Sequence, residues 1–134
     1  MNLKTKVADS EKITINMGFI DLGQIDLLVS EGFYGNRTDF IRTAIRNQLS
    51  NHADAVKQVV ARKTLVLGLQ HFSADDLRAV QAAKQTLDIR VLGLATIADD
   101  VSPALALATI ASIQVLGALH ASAAVKAALA SLQR

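Results

Sequence analysis

Lys12-Ile-Thr-Ile-Asn-Met17 and, a short way downstream, Gly35-Asn-Arg-Thr-Asp-Phe-Ile-Arg-Thr-Ala-Ile-Arg46 decide how this chain is read. The first stretch alternates polar and apolar, the period of a strand with one wet face. Ile13, Ile15 and Met17 fall on one side, and Lys12, Thr14 and Asn16 on the other. Such a strand, standing alone, has no ladder and nothing to cover its apolar side. The pattern therefore predicts that it pairs with the same strand of a second copy, as an antiparallel ribbon. The polar face of that ribbon offers donors, acceptors and a cation from each strand, and a two-stranded ribbon fits the major groove of double-stranded DNA. The expectation is a dimeric DNA-binding protein.

The flanking residues extend the pattern. Residues 1–10 are polar and read as an arm. Asp21 is placed to cap a helix over 22–31, with Ile25, Leu28 and Val29 on one face. Gly32 ends it as a left-handed C-cap. Asn36 caps a second helix, with Asp39 at the reciprocal capping position. Phe40, Ile41, Ala44, Ile45 and Leu49 form its apolar stripe, and helical composition runs on through His52 and Val56 toward Arg62 as one long helix.

Strand, helix, glycine turn and capped helix, in that order over residues 11–55, resemble the ribbon-helix-helix family of bacterial DNA-binding regulators. The matching pieces are Lys12–Met17, Ile25-Asp-Leu-Leu-Val29, Gly32-Phe-Tyr-Gly35 and Asn36–Arg46. Gly18-Phe-Ile-Asp-Leu-Gly23 departs from the family in being longer and more apolar than its usual link. The resemblance implies that Lys12 donates to guanine O6 or N7, that Asn16 pairs with adenine, and that Thr14 takes either role. It implies phosphate contacts from the N–H groups of Asn36, Arg37 and Thr38 at the helix start, with the Arg37 side chain beside them. The dimer, through residues 11–50, would be centred on Ile13, Ile15, Met17, Ile41 and Ile45. Arg42 and Arg46 share a helix face and are read as paired within the dimer or solvated.

The composition fits an aliphatic core. Of 134 residues, 51% are hydrophobic and 4% aromatic, and the absence of cysteine excludes disulfides and thiolate metal sites. Residues 1–63 carry nine Lys/Arg against seven Asp/Glu, and residues 64–134 five against five, so the whole net charge of +2 lies in the N-terminal half. That excess is too small to signal nucleic acid without the ribbon pattern. The opening residues precede no apolar signal core, which points to a cytoplasmic, nucleoid-associated protein. Val101 to Val125 is uncharged and long enough to span a bilayer, but its Ser, Thr, Gln and His residues and the lack of a basic flank favour a buried, non-membrane segment.

The second half repeats. Leu65-Val-Leu-Gly-Leu69, Arg90-Val-Leu-Gly-Leu94 and Gln114-Val-Leu-Gly-Ala118 share a Val-Leu-Gly core, and each is followed by a turn and a helical run, at Ala74–Thr86, Pro103–Ser112 and Ala121–Gln133. A period in the twenties predicts a small α/β repeat domain over 64–134, solenoid-like with parallel strands, joined through a helical extension over 56–63. The predicted fold is thus an α+β ribbon-helix-helix dimer followed by this repeat domain. The surplus of apolar residues predicts a second self-association surface around Ile113, Val115, Leu116, Leu119, Val125 and Leu129, and with it an assembly larger than a dimer.

His52, His71 and His120 raise a metal reading, and one ribbon-helix-helix subgroup senses nickel through a C-terminal domain. Here no Cys and no close His pair accompanies them, and His71 and His120 fall two strands apart, so no metal or other cofactor is expected. Asp75-Asp76 and Asp99-Asp100 are explained as helix-start acids, and no catalytic constellation is found. The function expected is a sequence-specific transcriptional regulator, a repressor rather than an enzyme. The rival readings are a DNA-tethered architectural or filament-forming protein and an antitoxin. The apolar, repeat-built tail counts against the last.

Overall fold

A computed structural model describes residues 10–133 of the chain. It divides between Lys57 and Gln58 into two units, each built around its own contacts.

In the first unit, residues 10–18 belong to no helix and no intrachain ladder. The helix α1 spans Phe19–Ser30. It starts ahead of the expected point: Gly18 is the N-cap, Leu22 N–H bonds to its carbonyl at 3.0 Å, and Asp21 sits inside the first turn. Asp21 therefore favours the helix through the dipole rather than as a cap. The C-terminus closes as a Schellman motif. Phe33 N–H reaches Leu28 O at 3.0 Å and Gly32 N–H reaches Val29 O at 3.1 Å, with Gly32 at φ +84°.

Helix α2 spans Arg37–Asn51 and opens on Asn36, whose Oδ1 accepts from Asp39 N–H at 2.8 Å. The return bond differs from the expected box: Asp39 Oδ2 accepts from Gly35 N–H, at 2.9 Å, not from Asn36. Tyr34 stands edge-on to Phe40, centroids 4.9 Å apart, and so fastens the turn to α2. The expected single long helix is broken at His52, after which α3 spans Ala53–Lys63. The poor helix formers Ser50, Asn51 and His52 account for the break.

In the second unit the strands β1 (Val66–Phe72), β2 (Leu87–Ile97) and β3 (Ile110–His120) alternate with α4 (Ala74–Ala82), α5 (Pro103–Thr109) and α6 (Ala123–Leu129). A 3-10 turn, Ala130–Leu132, follows α6. The strands are parallel in the order β1-β2-β3. The three Val-Leu-Gly cores align in register, with Gly68 against Gly93 and Gly93 against Gly117. A Cβ at Gly93 would collide with the Gly68 carbonyl, and one at Gly117 with the Gly93 carbonyl. The repeated glycine is thus required by close backbone approach at a positive φ.

Helices are shorter and strands longer than the sequence predicted. α4 stops at Ala82, before Lys84 with φ +57°, and α5 gives way at Ile110 to an eleven-residue strand that carries Ile110, Ile113 and Val115. Ser73, Ser102 and Ser122 cap the three helices, each accepting a backbone N–H from inside the first turn. The charge-free run from Val101 is divided among α5, β3 and the start of α6, and no described helix is long and apolar enough to cross a membrane.

Leu77, Val91, Ile97, Ile110, Ile113, Val125 and Leu129 lie in one buried cluster. On β2 it takes Ile89, Val91, Ala95 and Ile97, alternate residues of one face. With strands added in one direction, every crossover of the same hand lands on the same side of the sheet. Residues of α4, α5 and α6 complete the cluster on this face.

Candidate nucleic-acid interface

Lys12, Thr14 and Asn16 are exposed to solvent, and so are the residues between them. Ile13 is 72% exposed and Ile15 66%, and Met17 is half-buried. Within one chain the segment has no covered side. The other residues expected at the dimer centre behave alike: Ile41 is half-buried and Ile45 is exposed. Sequence reasoning did not single out Phe19 and Ile20, which are exposed and lie in the apolar run that departs from the family's usual link; Leu27, Phe33 and Leu49 are exposed as well.

The start of α2 is open. Among the described residues, no protein acceptor takes the N–H groups of Asn36, Arg37 or Thr38. All three residues are exposed, and their N–H groups add to the positive end of the helix dipole. The Arg37 side chain is placed otherwise than the sequence suggested. Its Nε and Nη2 donate to Asp26 Oδ1 and Oδ2, both at 2.8 Å, in a bidentate pair that ties α2 to α1. The hydrogen bonds from Arg37 hold the Asp26 carboxyl below the usual aspartate range, and the same bonds raise the Arg37 guanidinium. Arg42 and Arg46 are exposed, and neither belongs to an ion pair among the described residues.

The residue pattern and this geometry agree with one family. The family profile described as ribbon-helix-helix transcriptional regulator matches residues 8–126. The chain belongs to that family. Ribbon-helix-helix proteins bind DNA, are usually dimeric and are typically not enzymes. The match runs far past the region that carries the sequence resemblance and takes in the parallel-sheet unit as well. No curated protein and no solved structure matches the chain.

The C-terminal residues expected to mediate self-association lie mostly inside. Ile113, Val125 and Leu129 are buried at 1%, 0% and 0% exposure, and Val115 and Leu119 pack against the same cluster. Only Leu116, at 44%, is open. The surplus of apolar residues in this stretch was real, but most of it fills the space between sheet and helices. No group of three metal-ligating side chains occurs among the described residues. His71 Nδ1 instead bonds Thr96 Oγ1 across neighbouring strands. Asp76 completes a capping box with Ser73, and the Ser73 N–H it accepts lowers its carboxyl below the usual range.

Proposed function

We propose that this ribbon-helix-helix protein is a sequence-specific repressor whose two copies pair residues 12–17 as an antiparallel ribbon in the major groove. The observation that carries the reading is the N-terminal unit's missing half-core. Ile25 is its one buried hydrophobic among the described residues, while Ile13, Ile15, Ile45 and Leu49 are exposed. A second copy related by a two-fold axis supplies the absent half, and its pairing turns Lys12, Thr14 and Asn16 of both strands to the same side. The unpaired N–H groups of Asn36, Arg37 and Thr38 then hold phosphate and set the register. The Arg37 guanidinium is shared with Asp26, so its part is to fix α2 on α1. Residues 64–134 self-associate and give the bound dimer its repressing bulk.

Binding-site selection on three variants tests this. Lys12→Ala and Asn16→Ala are expected to relax sequence preference at single positions, each costing about 1–3 kcal/mol of discrimination. Arg37→Ala is expected to weaken binding evenly across sequences. Unchanged selected sites for both ribbon variants would reject the ribbon as reader.

A further inference from the structure

The face of the parallel sheet away from α4, α5 and α6 is rich in leucine. The register sets Leu67, Leu92 and Leu116 side by side in one row, and Leu69, Leu94 and Ala118 in the next. Leu67 is 70% exposed, Leu69 64% and Leu116 44%, while Leu92, Leu94 and Ala118 are half-buried by their neighbours. Parallel sheets are almost always covered on both faces, because their strands lack a polar side to leave wet. A leucine patch on the order of a few hundred Å² is what a monomer rarely leaves open without use.

We infer that this face packs against the same face of the second copy, closing the two sheets of one dimer into a sandwich. The inference rests on the ribbon dimer proposed above. Chemistry selects the occupant. The two rows hold no charge and no hydrogen-bonding side chain, so a charged or polar partner finds nothing to pair with. A second leucine face does. The charges stand at one end only. There Asp88 accepts from Ser112 Oγ at 2.6 Å, and Arg90 donates to the Lys63 carbonyl at 3.1 Å. The far end carries His71, Thr96 and His120.

A two-fold axis running across the strands lays the Leu67 row of one copy over the Leu69 row of the other. It sets Leu116 against the smaller Ala118 and places Arg90 at the opposite rim from its own mate. An axis along the strands would stack Arg90 on Arg90. The antiparallel arrangement avoids that repulsion.

The size of the patch bears on the stoichiometry. On the order of a few hundred Å², it is smaller than the roughly 800 Å² per partner that a standard independent interface buries. Two faces already joined through their N-terminal units meet at an effective concentration in about the millimolar range, where a small apolar contact closes. The sandwich therefore forms within the dimer and not between dimers.

The chain has no cysteine, so single introduced thiols report on single positions. In the full-length protein, Leu92→Cys at the centre of the face and the exposed Leu67→Cys are each treated with a short bismaleimide. Both are expected to give a covalent dimer in a yield that does not change on tenfold dilution. Gln81→Cys, on α4 behind the opposite face, is expected to stay uncoupled. Adding Ile15→Lys to Leu92→Cys is expected to abolish both the cross-link and DNA binding.

Coupling at positions 92 and 67 no better than at 81, or a yield that falls with dilution, would overturn the inference. If the protein is dimeric and binds DNA while both face thiols stay uncoupled, the sandwich fails and the ribbon reading stands. If the wild-type chain is monomeric without DNA, the ribbon reading fails first.

Discussion

The two units of this chain bury their apolar residues very differently. Of the fourteen core hydrophobics among the described residues, the N-terminal unit holds Ile25 alone and the sheet unit all the others. The exposed large hydrophobics run the other way: nine of fourteen, from Ile13 to Val56, belong to the N-terminal unit. Local structure in that unit is nonetheless well specified. Asn36 caps, Gly32 closes a Schellman motif, and Arg37 pins α2 to Asp26. Caps and ion pairs define helices but bury little, and burial is the dominant favourable term in folding. On the proposed reading, one unit is a half that its copy completes. The other has a helix-covered core of its own.

The contrast breaks first at Ile15. Ile15→Lys puts a charge where the second copy packs in the proposed dimer, and it is expected to abolish dimerisation and DNA binding together. The α4–α6 unit should keep its own melting transition. Light scattering and calorimetry read both, and a DNA-binding dimer in this variant would show that the N-terminal unit needs no apolar pairing.

The reciprocal test is Gly117→Ala. Its Cβ meets the Gly93 carbonyl at a backbone φ of +120°. The variant is expected to lose the sheet unit's transition while a truncated form ending at Arg62 still dimerises. A wild-type transition would mean that the strands separate at little cost. Leu77→Ala sharpens the same side. It empties a fully buried site beneath the sheet and should destabilise that unit by about 2–5 kcal/mol, without touching dimer affinity. Denaturant unfolding followed separately from association measures it.

Asn36→Ala removes a cap on the other side and is expected to cost the N-terminal unit about 1 kcal/mol. Gly in its place should cost only a few tenths.

The smallest effect concerns pH. The Asp26 carboxyl lies below its ordinary value because Arg37 donates to it, so the charged form is favoured in the folded state. Its contribution is complete above the ordinary aspartate range and disappears as the pH falls through the lowered value. Asp26→Asn should remove that acid-dependent part of N-terminal stability, and acid titration of the melting temperature of both proteins measures it.

Much of the N-terminal unit could be read directly because its signals are local. A polar–apolar alternation, an Asn cap and a glycine at positive φ each act within a few residues, and their order points to one family. What that reading missed depends on distance in space. Arg37 looked like a spare cation until α1 brought Asp26 within hydrogen-bond reach. His52 looked helical until three weak helix formers in a row ended the turn. In the sheet unit, the Val-Leu-Gly spacing located three equivalent segments, and they pair in register. Composition could not say which of their hydrophobic residues face inward, because a run of Leu, Val and Ala has no polar side to mark. Ile113, Val125 and Leu129 were therefore expected outside and lie inside.

By itself, then, the sequence determined the alternation of residues 12–17, the Asn36 cap, the Gly32 turn and the spacing of the three Val-Leu-Gly segments, since each is written in neighbours along the chain. Only the tertiary structure decided which face of the sheet is covered. Strands added in one direction with crossovers of one hand send α4 and α5 to the same side, α6 packs into the same cluster, and Leu67, Leu69 and Leu116 are left open on the other face.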